Sequence, residues 1–188
     1  ITIPEIGKGV YGFVYNACQQ KDCKYVLKVI EFNKNYSQLD FDKESLIHSI
    51  MSNLNISPKF IKSWTCSVYK TSHGYIDPLP NPLNQTISNI NPHSTPLSAR
   101  TPRSISKNKL TIGLILMEKY DISLFDYISK LHKPINPLII KKIFKLISSL
   151  HKNNFVHCDL HSGNIICKLD QNKNISDIKL IDFGMSFN

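Results

Sequence analysis

Apolar and polar positions change period several times along this chain. In residues 10–30, two β-rich runs at 12–18 and 24–30 flank a polar link at 19–22, a pattern that predicts a hairpin. The period then lengthens: Phe41, Leu46, Ile47, Ile50, Met51 and Leu54 recur at helical spacing, and Asp40 and Asp42 lie near the start, where carboxylates suit the helix dipole. Residues 60–69 and 110–117 predict two more strands. The stretch between them, 71–109, is rich in Pro, Asn, Ser and Thr with little periodicity, and reads as an insert or a long loop without fixed structure. Further on, Leu124, Tyr127, Ile128 and Leu131 share one helical face, and Ile139, Ile140, Ile143, Phe144, Ile147 and Leu150 share another. Pro134 and Pro137 divide these two helices, and residues 164–169 and 178–181 predict strands paired across the polar turn 170–177. A β-rich front half followed by a helical half is an α+β arrangement.

Composition narrows the picture. Of the 188 residues 41% are apolar, an ordinary share for a globular protein, and the longest apolar stretch, within 110–117, is far shorter than the ~20 residues of a membrane-spanning helix. With no signal-like start, a soluble, intracellular and most simply cytoplasmic protein without membrane contact is expected. The five cysteines, Cys18, Cys23, Cys66, Cys158 and Cys167, form no Cys-x-x-Cys pair and have no zinc-finger spacing to His, so thiols in a reducing compartment are expected. The net charge of +9 comes from scattered lysines; Arg100 and Arg103, the only arginines, lie in the 71–109 stretch, so no Arg-rich surface for nucleic acid is expected.

Three segments carry chemistry. Gly7-Lys8-Gly9-Val10-Tyr11-Gly12-Phe13-Val14 is a glycine-rich turn with strand on both sides, which suits close approach of backbone N–H groups to phosphate but not a dinucleotide-binding βαβ unit. Lys28 stands inside the apolar strand 25–30, where an unpaired ammonium would be costly, and Glu44 on the following helix is the available counter-charge. His157-Cys158-Asp159-Leu160-His161-Ser162-Gly163-Asn164 precedes a hairpin and then Asp182-Phe183-Gly184; two acids and an amide are the oxygen donors that phosphoryl transfer with magnesium requires.

These five features, in this order, resemble the eukaryotic-type protein kinases, and the resemblance covers nearly the whole chain. It implies a bilobal fold, with a β-rich N-lobe at 1–117 that includes the insert, and a hinge and partial C-lobe at 118–188. It implies ATP and Mg2+ as cofactors and a protein Ser/Thr hydroxyl as acceptor, with the oligomeric state left open. By the same resemblance Asp159 orients the hydroxyl proton, Lys28 and Glu44 anchor the α- and β-phosphates, and Asn164 and Asp182 hold the metal. Ile6 and the Gly7 to Val14 turn would cover the nucleotide, Val26, Met117 and Ile166 would enclose the base with Val14, and Glu118 and Tyr120 would form the hinge. Three departures stand out: Cys158 replaces the usual Arg, His161 the usual Lys, and Val26 the usual smaller Ala. Because only four residues follow Asp182-Phe183-Gly184, an incomplete domain is expected. A nucleotide-binding regulatory module and a small-molecule phosphotransferase of related fold are the alternatives.

Overall fold

The computed structural model describes residues 5–8, 12–19, 22–70, 76–78 and 109–188. Strands β1 (Glu5–Lys8), β2 (Gly12–Gln19) and β3 (Asp22–Glu31) lead into helix α1 (Gln38–Asn53), followed by β4 (Phe60–Lys70), β5 (Ile76–Pro78) and β6 (Lys109–Glu118). The second half holds β7 (Ile122–Ser123), α2 (Leu124–Leu131), α3 (Pro137–Lys152), β8 (Ile165–Leu169) and β9 (Ile175–Leu180), with 3-10 turns at Ser162–Asn164 and Phe183–Met185. The first six strands form one antiparallel sheet in the order β1-β2-β3-β6-β4-β5, and β7-β8-β9 form a second. The expected α+β, bilobal arrangement is therefore present. Among the described residues no helix is long and apolar enough to cross a membrane.

The hairpin is where the residue pattern put it, but its turn carries a difference. Cys18 and Cys23 are joined by a disulfide with Cα atoms 4.0 Å apart. The expectation of five thiols fails because the β2–β3 register, with an irregularity between Ala17 and Gln19, brings these two cysteines together across the turn. Cys66, Cys158 and Cys167 are free, and the cysteines no longer argue for a reducing compartment. Most of the 71–109 stretch lies outside the described residues, yet Ile76–Pro78 pairs with the end of β4 and Lys109 already belongs to β6, so this stretch is not without strand.

Helix α1 starts earlier than its apolar residues suggest, since Ser37 and Asp40 form a capping box ahead of Phe41. Its buried side is Phe41, Glu44, Ser45, Ile47, His48 and Met51, while Leu39 and Leu46 face solvent. Phe41, Ile47 and Met51 of the predicted face are buried as expected, but Glu44, Ser45 and His48 take the place of Leu46 and Leu54, and these polar groups must find partners. Gly113 of β6 lets the helix come close: a Cβ there would lie 2.4 Å from the Phe41 ring. Ile128, Ile140 and Phe144, predicted as core, are exposed, whereas Leu124, Tyr127, Ile139 and Leu150 are buried.

The two halves share a core. Ile47, Met51 and Ile56 pack with Leu124, Ile139, Leu150, Ile165, Cys167, Ile178, Leu180 and Phe183, each full burial of such a side chain being worth roughly 1.5–3 kcal/mol. At the junction Leu180 N donates to Ile56 O (2.9 Å), and the buried Lys179 ammonium donates to Asn55 O (2.7 Å) and Oδ1 (2.6 Å). These bonds fix the turn after α1 against β9, and through it the position of α1.

Candidate active site

Lys28 lies on β3, an interior strand, opposite Val14 on one side and Ile115 on the other. Its side chain is buried beneath the sheet, where α1 and the turn after β9 bring two carboxylates to it. Nζ donates to Glu44 Oε1 at 2.6 Å and to Asp182 Oδ1 at 2.9 Å. Burial alone would depress the Lys28 pKa, but the charges of Glu44 and Asp182 and their hydrogen bonds outweigh it and hold the ammonium above its ordinary value. Glu44 is 3% exposed, and its Oε2 accepts from the Tyr36 hydroxyl. Burial, and then Glu44, raises the Tyr36 pKa, so the phenol stays a donor. Tyr36 escaped the sequence reading; its one signal is its place directly before the Ser37–Asp40 cap.

The loop between α3 and β8 carries the second group. Asn164 Nδ2 donates to Asp159 O (2.9 Å) and Oδ2 (3.2 Å), and Asn164 O accepts from Ile181 N (3.0 Å), which sets Asp182 beside it. Cys158 (φ 60°) and Asp182 (φ 67°) both adopt the left-handed conformation, at about 1–3 kcal/mol each. Their surroundings enforce it: His157 Nε2 bonds Ile181 O at 3.0 Å, and Ser186 Oγ donates to His157 O at 3.2 Å. Phe183, fully buried, packs its ring 5.2 Å from His157 and 6.0 Å from His48 of α1. The loop 157–164, the Asp182 turn and α1 are thereby one packed unit.

The His48 ring also touches Phe60 and bonds Pro58 O at 3.3 Å. Burial lowers its pKa from 6.5 to about 4, the Pro58 carbonyl opposing and the Lys28 charge reinforcing this. The unfolded chain therefore binds a proton near pH 6.5 that the folded chain refuses until about 4. The contribution is complete above pH 6.5 and is lost as pH falls through that window, by about 2 kcal/mol between pH 6.5 and 5. Urea midpoints should fall accordingly in the wild type, and less steeply in His48→Gln.

The remaining expected residues that are described lie on β1, β2, β3, β6, the segment after β6, and β8. Val26 and Met117 are paired across β3 and β6, both buried, and Val14 packs against them. Ile165 and Cys167 point into the core, so the half-buried Ile166 between them faces the other side of β8. The side chains of Glu118 and Tyr120 are tied down, Glu118 by an ion pair to Lys168 and Tyr120 by a hydrogen bond to Asp177 (2.8 Å). No described group accepts from Tyr120 N–H, since Lys119 N and Asp121 N take the neighbouring bonds to Lys24 O and Cys167 O. Of the glycine-rich turn, Gly7, Lys8, Gly12, Phe13 and Val14 are described and their strands pair up to Lys8↔Phe13; Gly9, Val10 and Tyr11 lie outside the described residues. Ile6 is exposed.

Hard oxygens are available for a divalent cation. Asn164 turns its Nδ2 to Asp159, and Asp182 gives Oδ1 to Lys28, so Asn164 Oδ1 and Asp182 Oδ2 have no described partner. Among the described residues no group of three or more His, Cys, Asp or Glu could hold a metal. Two oxygens suit magnesium that shares its shell with phosphates and water, rather than a closed protein cage.

Comparison with known proteins agrees with this geometry. The chain matches the family model "Protein kinase domain" over residues 2–188. It is 26% identical to the serine/threonine-protein kinase VHS1 of Saccharomyces cerevisiae over 97% of its own length, and spans 41% of that protein. It is 50% identical over 48 residues to calcium-dependent protein kinase 4 of Plasmodium falciparum, covering 26% of this chain and 9% of the relative. A lysine held between a helix carboxylate and an aspartate turn, beside an Asp–Asn loop, agrees with a family match running through both halves: the chain belongs to the protein kinase domain family.

Proposed function

We propose that this chain binds Mg-ATP between its two lobes, 1–117 and 118–188, and transfers the γ-phosphoryl group to a protein Ser/Thr hydroxyl. The observation that carries this reading is the contact chain Glu44–Lys28–Asp182, continued through Ile181 to Asn164 and Asp159. It links a fixed cation, two spare oxygens and a carboxylate in one connected network, which supports the positioning and charge neutralisation of a triphosphate. Lys28 contacts the α- and β-phosphates, oriented by Glu44. Asn164 and Asp182 hold magnesium, which supplies neutralisation of charge on the phosphate oxygens. Asp159 accepts the proton of the acceptor hydroxyl. Tyr120 N–H and the Glu118 carbonyl recognise the base edge, with Ile6, Val14, Val26, Met117 and Ile166 against its faces and the turn from Gly7 to Val14 above the phosphates. Ser/Thr as acceptor rests on the named activity of the yeast relative.

The test is incubation of the full chain with γ-labelled ATP, magnesium and a generic protein substrate, followed by analysis of the labelled amino acid. Phosphoserine or phosphothreonine is expected. Nucleotide binding without labelling would favour the regulatory module, and label confined to small hydroxyl compounds the small-molecule phosphotransferase.

A further inference from the structure

His161 has no part in the reading above, yet its exposed ring is bonded on one side to the loop backbone and lies beside Asp159. It caps the 3-10 turn Ser162–Asn164, and its Nδ1 accepts from Gly163 N at 3.0 Å. A backbone N–H can only donate, so Nδ1 presents its lone pair and the ring proton of the neutral imidazole resides on Nε2. Glycine at 163 leaves room for the ring in this position: a Cβ there would lie 2.8 Å from His161 Cε1 and 2.9 Å from Nδ1. On its far side, Nε2 stands 3.9 Å from Asp159 Oδ2, an electrostatic contact longer than a hydrogen bond. Oδ2 is also the oxygen that receives Asn164 Nδ2. Asn164 Nδ2 thus donates to Oδ2 while His161 Nε2 lies nearby without bonding it, and among the described residues none is bonded to Oδ1.

We propose that His161 is a positioning residue for Asp159: the Gly163 N–H fixes the Nε2–H tautomer, which with Asn164 steers Oδ2 and leaves Oδ1 aimed at the acceptor hydroxyl. This rests on the kinase reading of Asp159. It differs from a lysine at the same place, whose flexible ammonium has no lone pair to anchor and no fixed direction.

Two variants separate the ring nitrogens. His161→Asn keeps an acceptor where Nδ1 lies but has no donor at the reach of Nε2; His161→Gln keeps that donor and loses the anchor. In the full chain His161→Asn should lower kcat about tenfold with the KM for ATP within about twofold, and His161→Gln should lose less than about threefold. In an Asp159→Asn background, His161→Asn should change the residual rate by less than about twofold. Equal losses in both variants, a higher KM for ATP at unchanged kcat, or a full effect persisting without Asp159 would each overturn the proposal. A long-range 1H–15N spectrum of the imidazoles gives a readout free of turnover. It should show His161 as the Nε2–H tautomer with a resonance that moves in Asp159→Asn; an Nδ1–H tautomer, or no movement, defeats the proposal. If the wild type transfers no phosphate, the kinase reading fails, while this spectrum still decides the tautomer and its coupling to Asp159.

Discussion

Asp159→Asn is expected to slow phosphoryl transfer by roughly 10²–10⁴-fold, the range for removing a positioned general base, while Mg-ATP affinity stays within about threefold. The loop should survive the change, because Asn164 Nδ2 also bonds the backbone oxygen of residue 159 at 2.9 Å, which any side chain leaves in place. The groups proposed to meet the nucleotide and its metal, Lys28 and Asp182, are bonded to each other and not to the Asp159 side chain. An amide keeps the size of the carboxylate but cannot take a proton, so the loss should fall on the chemical step. Single-turnover rates with saturating nucleotide, set beside a nucleotide titration, measure both quantities. An unaltered rate would remove Asp159 from the chemistry, and collapse of binding would make it a structural residue instead.

Lys28→Met should have the largest effect on stability and also abolish transfer. Glu44 is buried, and without Lys28 it keeps only the Tyr36 hydroxyl among its described partners. Breaking a buried pair by removing one partner costs about 3–5 kcal/mol, because the other charge is left uncompensated. Asp182 loses its Oδ1 partner as well, but it is partly open to water and suffers less. Replacing the whole buried group, Lys28→Met with Glu44→Leu and Tyr36→Phe, should recover most of that stability, since apolar residues of similar volume pack without a desolvation cost. It should recover no activity. Urea midpoints and transfer rates for the single and triple variants check this; a single variant as stable as the wild type would show that the ion pair contributes nothing to the fold.

The contrast between these variants shows which parts of the site were legible in the residues. Lys28 was readable because an ammonium inside an apolar strand needs a partner. Glu44 was a fair guess as that partner, being the acid one helix onward. The double role of Asp182 was not readable: its hydrogen bond to Lys28 joins residues 154 apart in the chain. His161 was visible as a departure from the family pattern, but its bond to Gly163 and its approach to Asp159 depend on how the loop turns at Cys158.

The residue pattern by itself determined the alternation of strands and helices, the β-rich front and helical back, and the order of the chemical groups. Those properties follow from near neighbours, through strand and helix periods and turn residues. Tertiary structure alone decided that polar residues share the buried face of α1. Leu46 lost its place to Ser45 and His48 because Phe41 settles on Gly113 while Glu44 reaches Lys28. It likewise decided the Cys18–Cys23 bond and the Lys179 anchor on Asn55. Such partners are set by packing between segments distant in sequence, and a buried polar group accepts whichever one the fold brings within hydrogen-bonding range.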